Sequence, residues 1–276
     1  MTPDFSDASS PYALHHIRSC TPMEEVFHSH PFFEFYFFLE GSTRLIVEDV
    51  DLHPRRGDGF LFPPGTMHRN MLLAPEKPYE RFYFYVTPSF LQEISTQEWN
   101  LEDAALSLAG KARYHVHLME ADLQDLRDAC DDLISTPGAA PPDRLIRRGK
   151  MIILLSRTLQ AMSPSSPLPP SGHRSARLIR YLHAHLREDI TLTDLEEVFH
   201  VNQFTLLRDF KAYTGISIHR YLTECRVQEA RRCLLSGLSP AEAAADCGFS
   251  DYTTFYRAFR ALEGCSPRAF MLRYRQ

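Results

Sequence analysis

The chain of 276 residues is 44% hydrophobic and 24% charged, with a formal net charge of −5 at pH 7. That balance fits two ordinary globular domains and excludes disordered and fibrous classes. No apolar run approaches the ~18 residues of a membrane-spanning helix, and the opening Met-Thr-Pro-Asp-Phe-Ser-Asp lacks the basic-then-apolar layout of a secretory leader. A cytoplasmic protein with no membrane partner is therefore expected.

Residues from about 12 to 90 read as strands: the aromatic run Phe32 to Leu39, the β-branched Arg44 to Val50, Gly59 to Phe62 before a Pro-Pro-Gly turn, and Tyr79 to Thr87. Short strands separated by turn signals predict a small antiparallel barrel or sandwich. Helical periodicity follows. Leu118 to Ile134 carries one apolar face, and a second helix, capped by Asp143, runs to about Met162. These two helices are expected to pack on the barrel, with their outer faces available as a dimer seam.

Residues 163–172 are rich in Pro and Ser and predict an extended spacer. Charge changes across it. Residues 1–170 hold 15 Lys and Arg against 23 Asp and Glu, whereas residues 171–276 hold 15 against 12. Fourteen of those last 15 cations are arginine, the side chain best shaped for phosphates and guanine edges. The six cysteines (Cys20, Cys130, Cys225, Cys233, Cys247, Cys265) form no Cys-x-x-Cys pair and read as reduced, mostly buried thiols.

Beyond Gly172 the chain reads as short helices, at roughly 174–187, 193–199, 203–213, 217–235, 240–246, 251–262 and 267–274. A shift of 49 residues pairs Thr205 with Thr254, Arg208 with Arg257, Phe210 with Phe259, Ala212 with Ala261, Gly215 with Gly264 and Ser217 with Ser266. Six identities in a window of thirteen mark one supersecondary unit used twice. Leu206 and Phe210, like Phe255 and Phe259, share a buried helical face, while Arg208, Lys211, Arg257 and Arg260 point outward. A short helix and tight turn precede each unit, which makes two helix-turn-helix motifs. The helix between them, near 30 Å long at ~1.5 Å per residue, suits the ~34 Å spacing of successive major-groove faces.

This half resembles the AraC/XylS family of bacterial transcription regulators. The matching residues run from Leu206-Leu207-Arg208-Asp209-Phe210-Lys211 through Gly215, Tyr221-Leu222, Arg226, Ala230 and Leu234-Leu235. They continue with Gly248-Phe249-Ser250-Asp251, Phe255, Arg257, Phe259-Arg260, Gly264 and Ser266-Pro267. Three positions depart from the pattern: Glu196 stands where the family usually packs an alanine, and Pro240 and Ala243 where it usually has isoleucines. The resemblance implies control of transcription at a promoter. Candidate base readers are Asn202, Gln203, Thr205 and Arg208 in the first recognition helix, and Asp251, Tyr252, Thr253, Thr254 and Arg257 in the second. Arg208 and Arg257 suit a phosphate clamp or an intramolecular ion pair equally well. Lys211, Arg220, Arg260 and Arg268 are candidate DNA contacts, the three arginines suiting phosphate.

The N-terminal half resembles the cupin barrel. His28-Ser29-His30, Glu34 and Gly41 match its first motif, and Gly57, Pro63-Pro64-Gly65 and His68 its second, with Leu72 in place of a final asparagine and Asn70 two positions early. In cupins the equivalents of His28, His30, Glu34 and His68 bind a metal ion. Three histidines and a carboxylate suit iron, manganese, nickel or zinc. Three roles remain open for them here: an enzyme's metal site, a polar grip on an effector, or hydrogen-bonded interior residues. Phe33, Phe35, Tyr36, Phe37, Tyr83 and Tyr85 are either ligand walls or core.

The reading is thus a multidomain protein. Residues 1–162 form a cupin-like, jelly-roll β-barrel with appended helices, 163–172 a linker, and 173–276 an all-α double helix-turn-helix domain. The expected function is a ligand-responsive transcription factor, not an enzyme. It binds double-stranded promoter DNA and a small-molecule effector, a sugar being one candidate. It forms a homodimer and, if an activator, meets RNA polymerase. No cofactor is required, although the barrel could hold a divalent metal. The rival reading is a metal-dependent cupin enzyme with a helical interaction domain.

Overall fold

The computed structural model describes residues 10–19, 26–74, 76–112, 114–138, 140–162 and 171–274. The chain divides into two compact units, Met1–Pro170 and Ser171–Gln276. Residues 163–170 of the expected linker, and Cys20, lie outside the described residues.

In the first unit the strands are β1 (Tyr12–Ser19), β2 (Phe33–Glu40), β3 (Thr43–Val47), β4 (Val50–Leu52), β5 (Asp58–Phe62), β6 (His68–Leu72), β7 (Tyr79–Val86) and β8 (His115–His117). Every pairing is antiparallel. The described strands form two sheets, ordered β1-β7-β2-β5-β8 and β4-β3-β6, and an isolated bridge between His28 and His68 extends the second. Strand parity sorts the aromatic run of β2. Phe33, Phe35, Phe37 and Leu39 face one way, into a core shared with helices α1 (Pro88–Ile94), α2 (Leu101–Ala112), α3 (Glu120–Ser135) and α4 (Pro141–Ala161). Phe32, Tyr36 and Phe38 face the other way, against Leu45 and Val47 of the smaller sheet. Both faces of β2 are buried, which is why, apart from Glu34, it reads as a run of apolar and aromatic residues rather than an alternating one.

Helices α3 and α4 pack on the large sheet through Leu123, Leu126, Cys130 and Leu133, and through Met151, Leu154 and Leu155. Three elements had no separate signal in the sequence reading: α1, α2 and the short β8. Asp143 does not cap α4. The helix begins two residues earlier, because Pro141 and Pro142 fill its first turn, where a missing N–H costs nothing, and Ala140 takes the cap position.

The second unit comprises α5 (Arg174–Ala184), α6 (Leu192–Phe199), α7 (Gln203–Thr214), α8 (Ile218–Ser236), α9 (Pro240–Asp246), α10 (Tyr252–Glu263) and α11 (Pro267–Tyr274). Helix α5 ends short of the expected residue 187, capped by His185. Both short helices open with capping boxes, Thr191 with Asp194 and Ser239 with Glu242. In the second motif Phe255 and Phe259 pack with Val227, Ala230 and Leu234 of α8, Ala243 and Ala244 of α9, and Phe270 of α11.

Candidate nucleic-acid interface and effector domain

Helix α7 buries Leu206, Phe210 and Tyr213, and α10 buries Phe255 and Phe259. The opposite face of each is exposed, and there the repeated cations emerge. Lys211, Arg257, Arg260 and Arg268 are exposed and have no ion-pair partner among the described residues. Arg208 is also exposed, and its one ion-pair partner among the described residues is its neighbour Asp209, at 3.2 Å. Arg220 is bound differently: its Nε donates to Oε1 of the buried Glu224 at 2.8 Å, one turn along α8. Such a pairing competes with a phosphate contact.

The polar residues at the helix starts divide by their bonds. Asn202 Oδ1 accepts the Thr205 amide at 2.9 Å, which leaves its side-chain amide to donate. Asp251 spends Oδ1 on the Thr254 amide at 2.8 Å and Oδ2 on the Thr254 hydroxyl at 2.7 Å, and these bonds hold its carboxyl below the usual range. Both residues thus start helices, and Asp251 and Thr254 are committed to each other. Gln203 Nε2 donates to Glu196 Oε2 at 3.1 Å, so the unusual glutamate of α6 ties the two helices of its motif together. Tyr252 and Thr253 are exposed. Phe204, absent from the sequence-based candidates, is 87% exposed beside them. A helical wheel carries the signal that finds it, since Phe204 lies one turn before Arg208 on the face opposite Leu206 and Phe210.

In the first unit the fold brings together three of the four cupin-like residues. His30 Nε2 lies 2.8 Å and His68 Nε2 3.4 Å from Glu34 Oε2, and all three residues are buried. His28 stands beside them, its ring centroid 4.4 Å from that of His68. Each histidine meets a backbone carbonyl through Nδ1: His28 with Val26, His30 with Phe32 and His68 with Thr66, at 2.9, 2.9 and 3.0 Å. A carbonyl only accepts, so each Nδ1 carries the proton, and in a neutral ring Nε2 is left as a bare acceptor. The Nε2 atoms of His30 and His68 converge on one carboxylate oxygen, a donor set that could hold a metal ion. Burial alone would raise the Glu34 carboxyl, but hydrogen bonds and charge from His30 and His68 outweigh it and hold that group far below the usual carboxylate range.

The polar interior continues beyond this cluster. Asn70 Nδ2 donates to the Tyr79 hydroxyl at 2.6 Å, and the Tyr79 and Tyr36 hydroxyls lie 2.8 Å apart. Asn70 Oδ1 and His15 Nε2 are buried and bond to none of the described groups. Open space is found at the sheet edges as well. A cleft of about 610 Å³ is lined by Asp51, Leu52, His53, Arg55, Asp58, Phe60, His115 and His117, between the β4 edge of one sheet and the β8 edge of the other. Asp58 Oδ1 lies 3.0 Å from His115 Nε2 and 2.9 Å from His117 Nδ1, and its Oδ2 accepts the Arg55 amide at 2.7 Å. Burial raises this carboxyl, and those three bonds together lower it below its ordinary value. Behind the cleft lies the buried Phe60, its ring centroid 5.2 Å from that of His115 and 5.7 Å from that of Tyr36.

A sheet-rich ligand domain joined to a duplicated helix-turn-helix defines a ligand-responsive transcription regulator. Residues 12–107 match the AraC-like ligand binding domain and residues 195–273 the helix-turn-helix domain. The chain belongs to the AraC/XylS family. It is 26% identical over 236 residues to an uncharacterized HTH-type transcriptional regulator, YbfI, of Bacillus subtilis, covering 81% of this chain and 78% of that one. It is 26% identical over 233 residues to the HTH-type transcriptional activator RhaS of Escherichia coli, covering 84% and 77%. Among solved structures, ToxT from Vibrio cholerae aligns over 95% of this chain and 98% of its own, at 10% identity and a TM-score of 0.37. No helix among the described residues is long and apolar enough to cross a membrane.

Proposed function

We propose that this regulator reads promoter DNA in the cytoplasm with the exposed faces of α7 and α10, and that an effector held by the sheet-rich domain governs that reading. One observation carries the proposal: two copies of one motif each turn a buried aromatic face inward and a row of exposed, ion-pair-poor cations outward. Packing accounts for the buried rows and leaves the paired outward cations unexplained. Arg208, Lys211, Arg257 and Arg260 lie on those faces, with Arg268 at the start of α11. Selection of duplexes from a random-sequence pool by the full chain, followed by titration across a salt series, tests this. The expected result is a selected sequence whose binding constant falls with a log–log slope near −0.9 per phosphate contact. Binding without sequence preference would overturn it.

The effector enters, in this reading, at the cleft between β4 and β8. The partly exposed His115 ring, with carboxylates and imidazoles around it, suits the ring face and hydroxyls of a carbohydrate. Asp58→Ala is expected to abolish effector-dependent shifts in duplex affinity and leave effector-free affinity intact. Leu145, Ile146 and Ile153 are exposed on α4 and offer the seam of a homodimer. As an activator, which RhaS is, the dimer would also meet RNA polymerase.

A second reading concerns His30, Glu34 and His68. Their donor atoms lie within 4.8 Å of one another, and locked Nδ1–H tautomers are the arrangement that metal-bound histidines adopt. A divalent metal held there, with His28 adjacent, would brace the interior of the sensor domain. Metal analysis of the purified chain, with His30→Ala and His68→Ala as controls, tests this. Equal metal content in all three proteins would overturn it.

A further inference from the structure

The two recognition helices are not chemically equivalent, and the difference lies at one residue. Around α7, positions 204, 208 and 211 fall within about 60° of arc at 3.6 residues per turn, opposite the buried Leu206 and Phe210. In α10 the repeat places 253, 257 and 260 on the same arc. Each face carries two cations, Arg208 with Lys211 and Arg257 with Arg260, followed toward the helix start by Phe204 in one and Thr253 in the other. Phe204 is 87% exposed, more than any other large apolar side chain among the described residues. Its position at the second residue of the helix places it where a recognition helix meets base edges.

We propose that Phe204 is a specificity-determining residue, seated on thymine methyl groups in the major groove by the first helix-turn-helix. The inference rests on the placement of α7 against DNA proposed above. The flanking Arg208 and Lys211 bind an anionic partner, so the ring is held to a phosphate-lined groove. The only apolar feature on major-groove base edges is the thymine C5-methyl. A hydrogen-bonding side chain cannot use that group and an aromatic ring can. Thr253, with its own methyl and a hydroxyl, tolerates more than one base at the matching place in the second half-site.

The test uses the full chain and the best duplex it selects from a random-sequence pool. That duplex is remade with deoxyuridine at each thymine in turn, which removes one methyl and alters no hydrogen bond. The wild-type chain is expected to lose about fourfold in affinity at one or two thymines, the worth of one buried methyl. Phe204→Ala is expected to lose roughly tenfold, to show no further penalty at those thymines, and to melt at the wild-type temperature because the ring is exposed. Phe204→Thr should accept other bases there. Three results would overturn the inference: wild-type indifference to every deoxyuridine, wild-type affinity in Phe204→Ala, or a deoxyuridine penalty that persists in that variant. The third would place the ring against DNA by stacking or as a wedge rather than on a methyl. If the wild-type chain selects no sequence, the placement of α7 fails first, before any variant is made, and this inference falls with it.

Discussion

Gly248 and Gly264 both sit at positive φ, 79° and 69°, yet their surroundings differ in a way that alanine substitution should expose. A Cβ on Gly248 would lie 2.8 Å from the Leu186 carbonyl oxygen and 3.0 Å from the Arg187 Cα and carbonyl carbon. These are backbone atoms, and Arg226 pins that backbone by donating to the carbonyls of Leu186 and Glu188 at 3.0 and 2.7 Å. A Cβ on Gly264 would meet nothing within 4 Å. Each alanine pays ~1–2 kcal/mol for the left-handed backbone, and Gly248→Ala adds ~1–3 kcal/mol of overpacking against atoms that cannot step aside. In a unit of about 100 residues, 1 kcal/mol moves Tm by ~4–8 °C. Gly264→Ala should therefore cost roughly 5–10 °C and Gly248→Ala roughly 10–20 °C or more. Calorimetry of the full chain reads this from whichever transition a bound duplex raises, since that one belongs to the DNA-binding unit. Equal shifts for the two variants would refute the packing of the 186–188 backbone against the second turn.

Other expectations follow from single contacts. Asn202→Ala and Asp251→Ala each remove the acceptor for a helix-start amide and should cost about 1 kcal/mol, read as a lower thermal midpoint for the same transition. Lys211→Ala and Arg260→Ala should each weaken binding across all duplex sequences and flatten the log–log salt slope by about 1; an unchanged slope would remove that residue from the phosphate contacts. For Asp58 the folded-state carboxyl lies below its unfolded value, so its stabilisation is present above the usual carboxylate range and is lost as pH falls through the folded value. Asp58→Asn should therefore melt below the wild type at pH 7, with the gap closing as pH drops beneath ~4. Glu196→Ala should release Gln203 from its 3.1 Å bond and change which bases the first half-site selects, with little change in stability; an unaltered selected sequence would mean that Gln203 reads nothing.

The double helix-turn-helix was legible because its signal repeats. Phe210 and Phe259 mark the same buried face 49 residues apart, and Gly215 and Gly264 the same helix end, so each copy supports the other. His30 and Glu34 were legible as neighbours in the cupin-like motif, and a bend at Pro31 and Phe32, just ahead of β2, brings them into contact. What strand parity could not tell was which aromatic rings line a ligand and which form the core. That depends on β2 being sandwiched between helices and a second sheet, a tertiary fact that sends Phe35 and Tyr36 into different cores. The cleft was illegible for a similar reason. Asp58, His115 and His117 are 57 to 59 residues apart in the chain and meet only because the three-residue β8 pairs with β5, and so short a strand leaves no periodicity to read.

The departures from the family pattern show how local chemistry absorbs a substitution. Glu196, in place of an alanine, is half-buried and would be a stranded charge without a partner; Gln203, the first residue of α7, supplies the donor. Pro240, in place of an isoleucine, gives up packing but takes a first-turn position where its fixed φ and missing N–H are assets, and Ser239 with Glu242 satisfies the amides beside it. Ala243 brings less apolar bulk but is fully buried in a cluster that includes Phe255, Phe259 and Phe270. For Glu196 and Pro240 the residue that compensates is itself part of the motif. The substitutions therefore change how α6 and α9 are held without changing which faces of α7 and α10 are left exposed, the faces proposed above to meet DNA.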